Sequence, residues 1–252
     1  MQWQRIVDPA FQMDLAQDDE ARARFEGAPW LQPWAVTADL ELRLATSCTA
    51  VRTEDGVVLI DPFCTFGDTA DAERRVALLA DAGITVGDVR HVVLTHVDGI
   101  GLLWYADGSP VFTSARVLVP GADLTGIGTG EYPEVEPLLR FAEAHGSAGV
   151  VAPGVGLVPL DGHQPGHSGV SIGDPWEVLC CGHLFIDPPQ LLALDRPGLD
   201  EDVDTAAATR RTVLGRAADE GFALCGPLWP EPGAAHVERA GDGFVLRPIG
   251  TA

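Results

Sequence analysis

Val92, Val93 and Leu94 form an unbroken apolar run that passes into Thr95-His96-Val97-Asp98 and turns at Gly99 and Gly101. Branched apolar residues closed by a polar loop predict a strand buried on both faces. Its C-terminal end delivers a histidine and a carboxylate to the sheet edge, where α/β proteins place ligands. Upstream, Leu40, Leu42 and Leu44 alternate with Glu41 and Arg43. Cys48 to Arg52 continues the pattern, Glu54-Asp55-Gly56 turns, and Val57 to Ile60 returns, so residues 39–61 predict a hairpin. Residues 71–82 carry Val76, Leu79 and Ala80 on one stripe and stop at Gly83, the pattern of an amphipathic helix. Strand, helix and strand in succession imply α/β layering.

Further along, Val111-Phe112 and residues 116–119 predict a short strand or two. Residues 121–133, rich in glycine, predict a loop near the site, and residues 134–145 a helix. Short strands at 156–160 and 170–172 flank Asp161 to Gly169. A strand over 176–181 breaks at Gly182-His183, a helix covers 205–220, and residues 222–225 and 243–246 close the chain as strands. Asp18 to Phe25 has acidic residues first and arginines later, which suits a helix dipole. Pro29 and Pro33 end it. Residues 1–35 are read as an N-terminal arm or cap whose Trp30 and Trp34 pack on the body or on a partner subunit. Residues 36–252 are read as a single domain.

Composition narrows the partners. The net charge is −21, and the 16 basic residues are all arginine. That argues against nucleic acid and against an anionic membrane. No apolar run approaches the roughly 18 residues of a membrane span. The N-terminus lacks the basic start and apolar stretch of a signal peptide. Five cysteines, an odd number with no Cys-x-x-Cys pair, suit reduced thiols in a bacterial cytoplasm and give no structural zinc knuckle. The lysine-free, Ala-, Gly-, Pro- and Arg-rich composition suits a GC-rich genome.

Gly162-His163-Gln164-Pro165-Gly166-His167-Ser168-Gly169 is similar to the Gly-His-Thr-Pro-Gly-His-Ser-Gly motif of the metallo-β-lactamase superfamily, and residues 40–248 follow the order of its pieces. The resemblance is to the lactonase and organophosphate-hydrolase-like branch. It implies a four-layer αββα sandwich with a metal site at one edge, and a structural role for Asp61. The family binds its metals through His-x-His-x-Asp-His, the His of Pro-Gly-His, a bridging Asp and a late His. Here the first motif is shortened to Thr95-His96-Val97-Asp98-Gly99, and His96 aligns with either of the first two histidines. His167 matches outright. His183 stands at the bridging Asp and Pro227 at the late His.

A bridging carboxylate offers one oxygen to each of two cations, whereas a neutral imidazole offers one lone pair. The resemblance therefore implies no dinuclear centre. It leaves two alternatives: no metal, or one divalent ion, zinc first, on His96, His167 and His183. Asp98 would be a fourth ligand or a base for a bound water. Without metal, His96, Asp98, His167 and His183 remain for acid–base catalysis. His163 is read as bracing its loop through the backbone, and His91, His145 and His236 as structural. Cys181 and Cys225 are read first as buried thiols, with a Cys–His nucleophile as the alternative. Gly126 to Gly130 is read as a flexible loop and not a phosphate cradle. Trp104, Tyr105, Phe185 and Trp229 are expected to line an apolar pocket. The expected function is hydrolase-like action on a small ester, lactone or thioester, by analogy as a bacterial biosynthetic tailoring enzyme. The competing reading is a non-catalytic pseudoenzyme that binds a small molecule or an interaction partner. The Trp-rich arm suggests a homodimer.

Overall fold

The structure is a computed structural model describing residues 1–63, 72–97, 101–196 and 199–249. The first sheet holds β1 (Gln2–Leu15), β2 (Leu42–Thr53), β3 (Gly56–Ile60), β4 (Val89–Val93), β5 (Arg116–Pro120) and β6 (Ala142–His145), in that spatial order. The second holds β7 (Gly149–Ala152), β8 (Val155–Pro159), β9 (Ser168–Ile172), β10 (Val178–Cys180), β11 (Ala223–Cys225), β12 (Ala234–Ala240) and β13 (Gly243–Ile249), also in chain order. The described residues also form four α-helices, α1 (Asp19–Glu26), α2 (Ala72–Asp81), α3 (Gly121–Thr129) and α4 (Val203–Glu220), and several short 3-10 turns.

Period-two alternation builds the layers. In β3, Val58 and Ile60 point inward with Val93 and Leu118 to meet Val170, Ile172, Val178 and Cys180 of the second sheet. Val57 and Leu59 point outward, with Val92, Val117 and Val119, onto Leu79 of α2 and Ile127 of α3. Leu179 and Leu224 face out of the second sheet onto Val213, Leu214 and Ala217 of α4 and Phe25 of α1. The result is the expected αββα sandwich. Leu79 is wholly buried, and its truncation to alanine would cost about 2–5 kcal/mol.

Strands β3 to β6 run parallel, with Ile60 opposite Val93 and Val93 opposite Leu118. Their C-terminal ends therefore share one edge of the sandwich. Asp61, the Thr95 loop and the start of α3 all leave from it.

Several segments differ from expectation. Residues 121–133 are not a loop: α3 forms there, closed by Gly130 at φ 85°, whose N–H donates to the carbonyls of Gly126 and Ile127. Its glycines mimic loop composition, but Leu124 and Ile127 anchor it to the core. Residues 134–145 are not an α-helix. Pro133–Arg140 is 3-10, with Pro137 inside, and Ala142–His145 is captured as β6 by the open edge of β5. Val111 and Phe112 are buried plugs and not strand residues. The first segment, read as an arm, begins with the edge strand β1, which pairs with β2 from Gln2–Arg52 to Leu15–Leu42 across a bulge.

Candidate metal centre

The shared edge brings Asp61 beside Thr95. The Asp61 N–H donates to the Val93 carbonyl at 3.0 Å. Its carboxylate accepts the Thr95 N–H and the Thr95 hydroxyl, both at 2.8 Å. With its proton given to Asp61, Thr95 Oγ1 accepts from His96 Nδ1 at 2.9 Å. That fixes the His96 tautomer and leaves the Nε2 lone pair facing His183 Nδ1, 2.9 Å away. Burial pushes Asp61 up to about 7, against the two hydrogen bonds from Thr95.

Two further imidazoles come from the loop before β9. His167 is fully buried, and its Nδ1 faces the Leu160 carbonyl at 3.1 Å. The Ser168 N–H donates to the Thr95 carbonyl at 3.0 Å, which staples this loop to the His96 strand. His163 Nδ1 meets Asp200 Oδ1 at 3.2 Å. Asp200 is in turn held by Arg210 of α4, through Nη1 at 2.8 Å and Nη2 at 2.7 Å. Arg210 Nε also donates to the Leu184 carbonyl at 2.5 Å, next to His183. One buried arginine thus braces the segments that carry two of the histidines.

The four rings form one cluster. His96 lies 4.4 Å from His183, 5.0 Å from His167 and 5.1 Å from His163, centroid to centroid. His163 lies 5.4 Å from His167 and 5.5 Å from His183. Ligand nitrogens of His96, His163 and His183 all lie within 4.8 Å of one another. Burial, then the neighbouring imidazoles, hold His96 and His167 well below the usual histidine range, so both are neutral, each with one ring-nitrogen lone pair. Nε2 of His163 and Nε2 of His167 are buried without a hydrogen-bond partner. Gly182 sits at φ 52°, and a Cβ there would stand 2.6 Å from His167 Nε2 and 2.5 Å from Thr95 Oγ1.

These features fit a metal ion. In His163 and His167 one ring nitrogen faces an acceptor and the other is buried without a partner, the arrangement expected of a metal-binding histidine. A buried polar atom without a partner is otherwise costly. Among the described residues the compact group is nitrogen only. His167 adjoins it, and Asp98 lies outside the described residues.

Trp104 and Tyr105 pack in the outer core of the first sheet, while Phe185 and Trp229 pack in the outer core of the second. Trp229 Nε1 donates to the Phe185 carbonyl at 2.9 Å. The segment around Pro227, where a late histidine was sought, is tied down by other means. Arg5 Nη2 donates to the Gly226 and Trp229 carbonyls at 3.2 and 2.5 Å, and Ser47 Oγ to the Pro227 carbonyl at 2.9 Å. The Cys181 thiol donates to the Cys225 carbonyl at 3.1 Å and is pushed up by burial. Cys225 Sγ lies 3.6 Å from Thr49 Oγ1 in the inter-sheet core. Cys64 lies outside the described residues.

Sequence reasoning missed His163, Asp200 and Arg210. His163 carried a signal, lying four residues before His167 on the same loop. Nothing local marked Asp200 or Arg210, which reach the loop only through the packing of α4.

The family model described as metallo-beta-lactamase superfamily matches residues 42–214. A probable metallo-hydrolase of Mycobacterium bovis is 30% identical over 176 residues, 54% of this chain and 55% of that protein. A probable metallo-hydrolase of Mycobacterium tuberculosis matches with the same figures. The chain spans about half the length of these curated relatives. Among solved structures, the dizinc quorum-quenching lactonase AidC, in complex with a product, superposes with a TM-score of 0.78 at 17% identity, over 98% of this chain and 94% of that one. AbOPH, a hydrolase of the beta lactamase superfamily, gives 0.74 at 17% identity over 97% and 93%. Likeness at that identity speaks for the fold alone.

Proposed function

Because the chain belongs to the metallo-β-lactamase superfamily, we propose that it is a hydrolase holding one divalent ion on His96, His163 and His183, with His167 beside them. The substrate class is a small lactone, ester or thioester. Lactones come first because the solved proteins of similar fold include lactonases. The observation that carries the reading is the pair of buried, unpartnered Nε2 atoms of His163 and His167 in a cluster of four imidazoles. Zinc suits a set of imidazole ligands.

A bound divalent ion supplies Lewis acidity, polarising an acyl carbonyl and making water a better nucleophile near neutral pH. The chain's own residues do the positioning. Asp61, through Thr95, keeps the His96 Nε2 lone pair directed into the cluster. Asp200 and the Leu160 carbonyl do the same for His163 and His167. The neutral state of His96 and His167 lets those imidazoles coordinate without first losing a proton. The glycine at 182 lets the His183 segment lie against His167 and Thr95.

The test is turnover of γ-butyrolactone, an N-acyl homoserine lactone and a 4-nitrophenyl ester by zinc-loaded protein, with His96→Ala and His183→Ala as controls. Turnover lost in both variants supports the reading. Wild-type rates equal to those of the variants would refute it in favour of a binding role.

A further inference from the structure

A polar island interrupts the apolar layer between the two sheets. Arg5 of β1 stands opposite Thr49 of β2. Cys180 of β10 stands opposite Cys225 of β11 in parallel register. Both cysteines belong to the inter-sheet core, and Cys225 Sγ lies 3.6 Å from Thr49 Oγ1. Neighbouring strands run about 4.8 Å apart. That falls within the roughly 4.4–6.8 Å that a disulfide spans between Cα atoms. The Cys180 thiol is close enough to donate to the Cys225 sulfur.

Arg5 sets the charge of this island. It is 8% exposed. Its Nη2 donates to Ser47 Oγ at 2.6 Å and to the Gly226 and Trp229 carbonyls at 3.2 and 2.5 Å, all neutral acceptors. Nε and Nη1 are buried without a partner. A buried guanidinium left without a counter-charge is costly, so the site calls for an anion. Burial lowers Arg5, and Cys225 leads the groups that oppose it, ahead of Cys180 and Glu231. The hydrogen bond from Cys180, then Arg5 and Thr49, hold the Cys225 thiol below its usual range against burial. As the donor in that bond, Cys180 keeps its proton. Burial pushes the Cys48 and Cys181 thiols up instead.

We propose that Cys225 and Cys180 form a peroxide-reactive pair, in which Cys225 attacks and Cys180 resolves. The thiolate is the nucleophilic form of cysteine. The Cys225 sulfur bonds to one oxygen of hydrogen peroxide and the O–O bond breaks. The hydroxide released takes the Cys180 proton and becomes water. The Cys180 sulfur then bonds to the Cys225 sulfur, the S–O bond breaks, and a second hydroxide leaves. The sulfur pair gives up two electrons and the peroxide accepts them, so atoms and charge balance. Both sulfurs are buried, which selects an oxidant near the size of water over a bulky disulfide. This chemistry stands apart from the metal centre and from the hydrolase reading.

The experiment treats the reduced full chain with hydrogen peroxide in native buffer, with circular dichroism confirming that the fold persists. Remaining thiols are alkylated and peptides are mapped without reduction by mass spectrometry. We expect a Cys180–Cys225 linked peptide, with Cys48 and Cys181 alkylated. Oxidised glutathione at the same concentration should leave Cys225 unmodified. Cys180→Ser should stop at a sulfenic acid on Cys225, trapped by dimedone. Arg5→Met should slow oxidation of Cys225 at least about tenfold. Cys180→Ser leaves Arg5 in place and decides the question where Arg5→Met does not fold. Absence of the Cys180–Cys225 link in folded protein would overturn the proposal. So would oxidation of Cys48 or Cys181 as fast as Cys225, or a Cys180→Ser variant that dimedone does not label at Cys225.

Discussion

Replacing Asp200 by asparagine tests the bracing of the metal centre most sharply. Asp200 and Arg210 are both wholly buried and meet through paired contacts of 2.7 and 2.8 Å. Asparagine keeps the shape but leaves the guanidinium without its counter-charge. Breaking one side of a buried pair costs about 3–5 kcal/mol. Burial acts to raise Asp200, but hydrogen bonds from His163 and Arg210 outweigh it and hold the carboxyl below its usual range. The group therefore stabilises the fold above the unfolded carboxylate pKa of about 4, and that contribution is lost as pH falls through the lower folded value. At pH 7 the full penalty should be visible by urea denaturation. The same substitution weakens the acceptor that orients His163. Loss of such a partner weakens metal binding about 10–100-fold, or about 1.4–2.7 kcal/mol at 1.36 kcal/mol per decade. Competition with a chromophoric chelator reads this directly. Arg210→Gln should also weaken binding, because Arg210 holds both Asp200 and the Leu184 carbonyl next to His183. The double variant should lose about 2–3 kcal/mol less stability than the sum of the singles, within the range expected for contacting pairs. A metal affinity changed less than twofold in Asp200→Asn would refute the claim that this carboxylate positions a ligand.

Other outcomes follow from the same geometry. Gly182→Ala should lower metal affinity at least about tenfold, because its Cβ would stand 2.6 Å from His167 Nε2; the left-handed backbone adds about 1–2 kcal/mol of strain, visible in a thermal melt. Arg5→Met should destabilise the fold by on the order of 3 kcal/mol in urea, since Arg5 holds the Gly226 and Trp229 carbonyls in a buried setting.

Much of the fold was legible because its strands and two of its helices obey simple periods. The run Val57–Ile60 and the stripe around Leu79 appear as read, and the run Val92–Leu94 marks the end of the strand Val89–Val93. The α3 segment was hidden by glycines that tertiary contacts with Leu124 and Ile127 override. The β6 strand was hidden because its conformation is dictated by the edge of β5 and not by Ala142 to His145 themselves. The site was half legible. His96, His167 and His183 are brought into one cluster, but His163 enters it only because Asp200, 37 residues away, turns its ring. Such a contact has no local signature.

Metal content decides the central claim. Protein purified without chelator and loaded with zinc should carry one ion per chain by mass spectrometry of the elements, and His96→Ala, His163→Ala and His183→Ala should each lose it. No bound metal in the wild type, or two ions per chain that survive His163→Ala, would contradict a single ion held by His96, His163 and His183.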